Sequence, residues 1–187
     1  MKNKWEANLI DLIKEDSNIV QGLRIVASMQ LADGWIGAGF IRNKVWDYLH
    51  GIEGTIRSND VDVIYFDMDE DREEEYELEL KKMAPQFNWS VKNQARMHLR
   101  NGHNPYKSTS EAVYYWVETA TCVAARIDEN DSIEVMAPYG LDDLFNLAVR
   151  PTPYTYKNNY DVFERRWREK GWLERWNRLK VFPTPSS

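Results

Sequence analysis

Cysteine and histidine are nearly absent from this chain. Of 187 residues, one is cysteine (Cys122) and three are histidine (His50, His98 and His103). A lone thiol leaves no disulfide partner within the chain and fits a reducing compartment. No cysteine–histidine set has the spacing of a zinc site. Long apolar runs are missing as well, since nothing approaches the roughly 18 uninterrupted residues of a membrane helix. Met1 to Leu12 is polar and interleaved with acids, without the apolar stretch of a secretory leader. The expectation is a cytoplasmic protein with no membrane partner. Excess positive charge is also lacking: 24 Lys and Arg against 30 Asp and Glu give a net charge of -6. That balance argues against an obligate nonspecific nucleic-acid binder but leaves room for a local basic surface.

What is present is a chain long enough to bury a core in one domain. Eight tryptophans and ten tyrosines supply either an aromatic core or stacking platforms. Apolar residues from Leu9 to Leu31 recur near the helical period, which predicts helix over residues 4–31, interrupted near Ser17. Ile41, Val45 and Leu49 form one stripe of a second helix, with Gly51 placed to end it. Residues 60–66 read as a strand. Nine acids between Asp67 and Glu79, against Arg72 alone, read as a solvated helix face stopped near Pro85. A short strand is expected over residues 87–91, a loop over 101–105, a helix from Ser110 to about Ala125, a strand over 133–136 and a short helix over 142–149. An aromatic-rich helical region over 160–181 is broken at Gly171. Strand–helix alternation predicts a small mixed α/β (α+β) sheet flanked by helices, in a single domain over 1–187. Its core runs from about 20 to 155, with a helical appendage over about 156–182.

Two motifs carry chemistry. Gly37-Ala38-Gly39 runs into a helix, where glycines either allow a tight turn or let phosphates approach amides at a helix N-terminus. The turn lacks the Lys-Ser/Thr of a Walker loop and the third glycine of a dinucleotide fingerprint. Twenty-one residues after Gly39, Asp60-Val61-Asp62-Val63 alternates, so both acids share one strand face and both valines the other. Facing carboxylates repel unless exposed, salt-bridged or bridged by a cation. A divalent ion between them and a nucleotide's phosphates resolves the repulsion and can orient a hydroxyl for in-line attack.

Gly37 to Leu49, followed by Asp60 to Val63, resembles the nucleotidyltransferase superfamily that includes DNA polymerase beta and the CCA-adding enzymes. More closely, the chain resembles small bacterial nucleotidyltransferase-like proteins of largely undefined substrate. The matching segments are Asp60-Val61-Asp62-Val63-Ile64-Tyr65-Phe66-Asp67, Trp89 to His98, Glu118-Thr119-Ala120-Thr121 and Gly140-Leu141-Asp142-Asp143-Leu144-Phe145. The resemblance covers about residues 20 to 155 and implies a polymerase beta-like nucleotidyltransferase fold. It also implies phosphate binding by Gly37 and Gly39, metal binding by Asp60 and Asp62, and Arg42 as the arginine of the glycine helix. Two departures lead away from tRNA specificity: Ala38 between the glycines, and Asn43 where CCA-adding enzymes carry an aspartate.

Active members of the superfamily commonly carry a third acid. Glu118 and Asp67 are the two choices, although Asp67, five residues beyond Asp62, falls on the opposite face of a regular strand. Between Lys92 and His103 lies a dense set of donors. Lys92 and Arg96 suit a triphosphate, and Asn93, Gln94 and His98 suit a base or ribose edge, against the alternative of an ordinary polar segment. From Lys157 to Lys180, eight bases face four acids among tryptophans, a pattern for packing onto the domain or for stacking on nucleic acid. The resulting expectation is a Mg2+-dependent enzyme, with Mn2+ as an alternative metal, moving NMP from an NTP to a hydroxyl acceptor with release of pyrophosphate. The acceptor is RNA, a protein or a small molecule. The competing expectation is a catalytically inactive nucleotide-binding or interaction module on the same fold.

Overall fold

The computed structural model describes residues 4–52 and 60–185. Helices α1 (Lys4–Lys14) and α2 (Ser17–Ser28) precede a short strand β1 (Trp35–Gly37). The break between the two helices has a chemical cause. Asp16 turns its carboxylate onto the amides of Asn18 and Ile19 and so caps α2, and Lys44 pairs with it at 3.2 Å. Helix α3 (Gly39–Leu49) leads toward β2 (Asp60–Tyr65), α4 (Glu73–Met83), β3 (Asn88–Asn93), α5 (Gln94–Asn101) and α6 (Thr109–Tyr114). Gly51, at φ +63°, follows the end of α3 in the left-handed region. Strands β4 (Ala124–Ile127) and β5 (Ile133–Met136) complete a five-stranded sheet in the order β3-β2-β1-β4-β5. Only β2 and β3 run parallel; the other neighbours are antiparallel.

After the sheet come α7 (Asp142–Phe145), β6 (Ala148–Val149), α8 (Pro153–Asn158), α9 (Tyr160–Glu169), α10 (Trp172–Arg175) and β7 (Lys180–Val181), the last pairing with β6 in parallel. The segment after Asn159 is sewn onto α3. Trp176 Nε1 donates to Asp47 Oδ1 at 2.8 Å, Arg175 donates to the same carboxylate, and the Arg178 amide donates to His50 Nε2. Phe163, Trp172 and Trp176 are buried, and both tryptophans pack edge-on against Trp46. These rings belong to the core and offer no face to a nucleic-acid base.

The acidic run is not wholly a solvated face. β3 is an edge strand, whose outward amides would otherwise present a template for another chain. Glu77 accepts from the Val91 amide at 3.2 Å and Glu73 from the Asn93 amide at 2.7 Å. Four residues of helix rise about 6 Å and two residues of strand about 6.6 Å, so an i, i+4 glutamate pair matches alternate strand amides. Asp67 is engaged too, its carboxylate accepting from the Asp69 and Glu70 amides.

Expected elements differ in places: the short helix expected over 142–149 ends at Phe145, and Ala148–Val149 form strand β6. The helix opened near Ser110 stops at Tyr114 instead of Ala125, because Val117 to Glu118 turns extended and pairs with the segment from Arg150 to Thr152. Ala124 and Ala125 then sit in β4, fully buried, where a small side chain fits between neighbouring layers. Residues 94–101, to which the sequence alone assigns no element, form α5, capped by Asn93.

A polar anchor joins α6 to β1. Asp33 accepts from Trp35 Nε1 at 2.9 Å and from the Thr109 amide at 3.0 Å, and its own carbonyl accepts from the Thr109 hydroxyl. Burial alone would raise this carboxyl, but those hydrogen bonds and Arg126 outweigh it and hold Asp33 below its ordinary value near 3.8. A depressed folded value contributes stability that is complete above the unfolded value and is lost as pH falls through the folded one. Asp33→Asn is therefore expected to narrow the stability difference between pH 6 and pH 2, read by urea denaturation at a series of pH values. An unchanged pH profile would contradict this role.

Candidate active site

Strand β2 alternates as its sequence demands. Val61, Val63 and Tyr65 face the core on one side, while Asp60, Asp62 and Ile64 share the other. Asp60 is exposed at the strand's start and accepts from Asn88 Nδ2 at 2.6 Å. Asp62 is half-buried and opens into a cavity of about 630 Å³, a size suited to a nucleotide-sized ligand. Burial and the charge of Asp60 push its carboxyl above the ordinary value, with Arg166, Lys170 and Arg42 pulling the other way.

The glycine turn works differently from its sequence reading. Gly37 is a buried strand residue opposite Asp62 in the β1–β2 ladder. A Cβ added there would lie 2.7 Å from Trp116 Cη2, so the missing side chain is accounted for by the indole that covers it. The positive φ falls on Ala38, at φ 53° and ψ -127°, a conformation that costs a non-glycine residue about 1–3 kcal/mol. Ala38 lines the cavity, and its amide is tied to the Val123 carbonyl at 2.9 Å. Gly39 opens α3 next to Ala38, and a Cβ there would meet only ordinary contacts. Gly37→Ala is expected to cost about 1–3 kcal/mol through displacement of Trp116, with a matching change in tryptophan fluorescence. A variant as stable as the parent would contradict the close packing.

Arg42 is 5% exposed and lies under the site without opening into the cavity. It donates to Thr121 Oγ1 at 2.8 Å and to Asn43 Oδ1, and its guanidinium lies against both Trp46 and Trp172, 4.7 and 4.3 Å from their ring centroids. Burial pushes its pKa down to about 10, against the opposing charge of Glu118. Of the basic and amide stretch, Lys92 and Gln94 line the cavity. Asn93 does not: it is fully buried, holding the Asp67 amide and the Asp67 and Glu70 carbonyls. Arg96 instead pairs with Asp71 at 3.4 Å, and His98 donates from Nδ1 to the Ala95 carbonyl. Arg100, Asn101 and His103, just beyond them, reach the cavity.

Neither choice for a third acid stands beside the pair. Asp67 lies five residues along from Asp62, about 16 Å in an extended strand, with its carboxylate engaged in its own turn. Glu118, expected on a helix, is in an extended bridge to Pro151 and is fully buried. Arg166 Nε stands 3.0 Å from its Oε1, an ion pair in which the N–H is not aimed at the oxygen. Among the described residues, no group of three or more His, Cys, Asp or Glu gathers to hold a metal.

Arg166 is the residue that sequence reasoning missed. It lies on α9, lines the cavity, and is the strongest counter-charge acting on Asp62. Its signal was its place beside Phe163 and Trp167, a base bordering a helical apolar stripe. An electrostatic influence on Asp62 across a hundred residues of chain carries no local signature.

The fold is matched by known proteins. A family model described as nucleotidyltransferase matches residues 24–181. A solved structure described as revealing a CCA-adding enzyme head domain is 33% identical with a TM-score of 0.83, covering 97% of each chain. The Thermotoga maritima CCA-adding enzyme complexed with tRNA shares the fold at TM-score 0.57 and 15% identity. The match covers 95% of this chain but 42% of that one. A tRNA-processing enzyme in an apo form shares it at 0.52 and 19%, over 86% and 44% of the two chains. No curated protein sequence matches. With most of its length inside the family model and the Asp60–Asp62 strand at its cavity, the chain belongs to the nucleotidyltransferase family.

Proposed function

We propose that the protein transfers NMP from an NTP to a hydroxyl-bearing, anionic acceptor with release of pyrophosphate. The observation that carries the reading is Asp62, half-buried at the mouth of a nucleotide-sized cavity with Asp60 on the same face and Arg166 opposite. The donor set fits a divalent cation, because two like charges on one strand face, one of them hindered from ionising, are reconciled by a hard cation. Magnesium is commonly held by one or two carboxylates together with substrate phosphates, so this pair suffices without a third acid. When bound, Mg2+ or Mn2+ would neutralise charge on the phosphates and acidify the attacking hydroxyl.

The chain's own residues would do the rest. Asp60 and Asp62 would hold the cation, while Arg166 and Lys92 would balance the triphosphate's charge and amides at the start of α3 would donate to it. Exposed Arg165 and Arg168 on α9, with Lys170 just after it, suit an anionic acceptor such as RNA. An NTP donor and a buried, unpaired thiol fit a cytoplasmic setting.

Protein incubated with each of the four NTPs, Mg2+ and RNA should release pyrophosphate, and the double variant Asp60→Ala, Asp62→Ala should not. Release that survives the double change would sink the assignment. The lack of a gathered third carboxylate among the described residues favours a second reading, a nucleotide-binding module without turnover. That reading predicts Mg2+-NTP affinity by calorimetry with no pyrophosphate released.

A further inference from the structure

The cavity that holds Asp62 changes character along its length, and two separate walls change in the same direction. One wall is β3 running into α5. Ser90 stands beside Asp62 in the ladder, Gln94 follows four residues later, about 13 Å along an extended strand, and His103 lies beyond the helix. The other wall is α9 running back into α8, with Arg166 at one end and Tyr154 at the other.

Contacts pin both ends. Arg166 acts on Asp62 and pairs with buried Glu118. Tyr154 meets His103 with ring centroids 4.4 Å apart and Tyr115 at 5.1 Å. One end is therefore carboxylate and guanidinium, and the other is a cluster of flat rings.

We infer that His103, Tyr115 and Tyr154 form the seat for the nucleobase of the bound NTP, which stacks on the tyrosine rings. The inference rests on the reading that the triphosphate lies at the Asp62 end.

The ring cluster differs from ordinary core packing. Tyr115 and Tyr154 are partly exposed to the cavity, whereas Tyr106 is buried behind Tyr115 and stacks on it at 5.4 Å. Tyr106 also bonds to the His103 ring nitrogen, which fixes that imidazole from behind. Tyr154 is held at the first turn of α8 by the Thr152 cap and Pro153. His103 also meets Tyr115 at 4.7 Å, and rings held by their neighbours while partly open to a cavity are preorganised to stack a planar ligand; base–aromatic stacking accepts any base because each has a π-face. Burial keeps His103 below its ordinary value, so the ring that closes this end is neutral at pH 7 and adds no charge against a base.

The test compares two probes that share the phosphate end, NTP and inorganic tripolyphosphate, each titrated calorimetrically with Mg2+ into the full chain. Tyr154→Ala and Tyr115→Ala should each weaken NTP binding about 5- to 100-fold and leave tripolyphosphate binding within about 2-fold. Tyr154→Phe, which keeps the ring, should bind NTP like the parent. NTP binding unchanged in both alanine variants overturns the seat, and so does an equal loss for both probes, since that marks a structural effect. A parent that binds neither probe overturns the seat together with the function it rests on. A parent that binds NTP and loses it in the alanine variants but releases no pyrophosphate keeps the seat and removes only the transfer reaction.

Discussion

Asp62→Asn is expected to reduce NTP-dependent pyrophosphate release by at least about a thousandfold, since a metal ligand at a phosphoryl centre supplies several kcal/mol of charge stabilisation. The fold should survive the change. Without metal, ionised Asp62 is disfavoured by burial and by Asp60, so the amide should leave the protein as stable as the parent or more stable by up to about 1 kcal/mol. The two readouts move in opposite directions, which separates a functional carboxylate from a structural one. Adding Mg2+ with NTP should raise the melting temperature of the parent and not of the variant. A variant that loses both stability and activity would mark Asp62 as structural.

Asp47→Ala is expected to be strongly destabilising. Asp47 is 2% exposed and accepts from Trp176 Nε1 and from Arg175, joining α3 to the segment after α9. Its loss leaves a buried indole N–H and a guanidinium without their acceptor, a cost of about 3 kcal/mol once Arg175's partial exposure is allowed for. For a chain of this length that is roughly 6–12 °C in melting temperature. Because α9 carries Arg166, activity should fall along with stability. A melting temperature within about 1 °C of the parent would mean that the C-terminal helices are an independent appendage.

Much of the frame was legible in the sequence, for reasons specific to each element. α1, α2 and α3 carry apolar residues at helical spacing, and β2 alternates strictly, so each declares its period in a short window. β1 and β4 do not. They are interior strands buried on both faces, where alternation disappears. β1 is three residues long beside two glycines, and β4 opens with two alanines, which locally favour helix. Tertiary pairing overrode both preferences.

The site divides along the same line. Asp60 and Asp62 were legible because two acids at alternate positions of an apolar strand are costly unless they have a use. The glycines drew attention to a turn that borders the cavity, but for a different reason, since Gly37 makes room for Trp116 and the strained residue is Ala38. Arg42 shared the motif but is buried beneath it. Arg166 had only its place beside an apolar stripe as a mark, and Tyr115 and Tyr154 had none, because the cavity they line exists only once α8 and α9 fold back.

The central claim, that the Asp60–Asp62 face directs transfer of a nucleotidyl group, is tested most directly by NTP labelled separately at the α and γ phosphates. The parent with Mg2+ should place the α label on the acceptor and the γ label in pyrophosphate, and Asp60→Ala, Asp62→Ala should leave both labels in NTP. A γ label released as orthophosphate, or α-label transfer that persists in the double variant, would contradict the account.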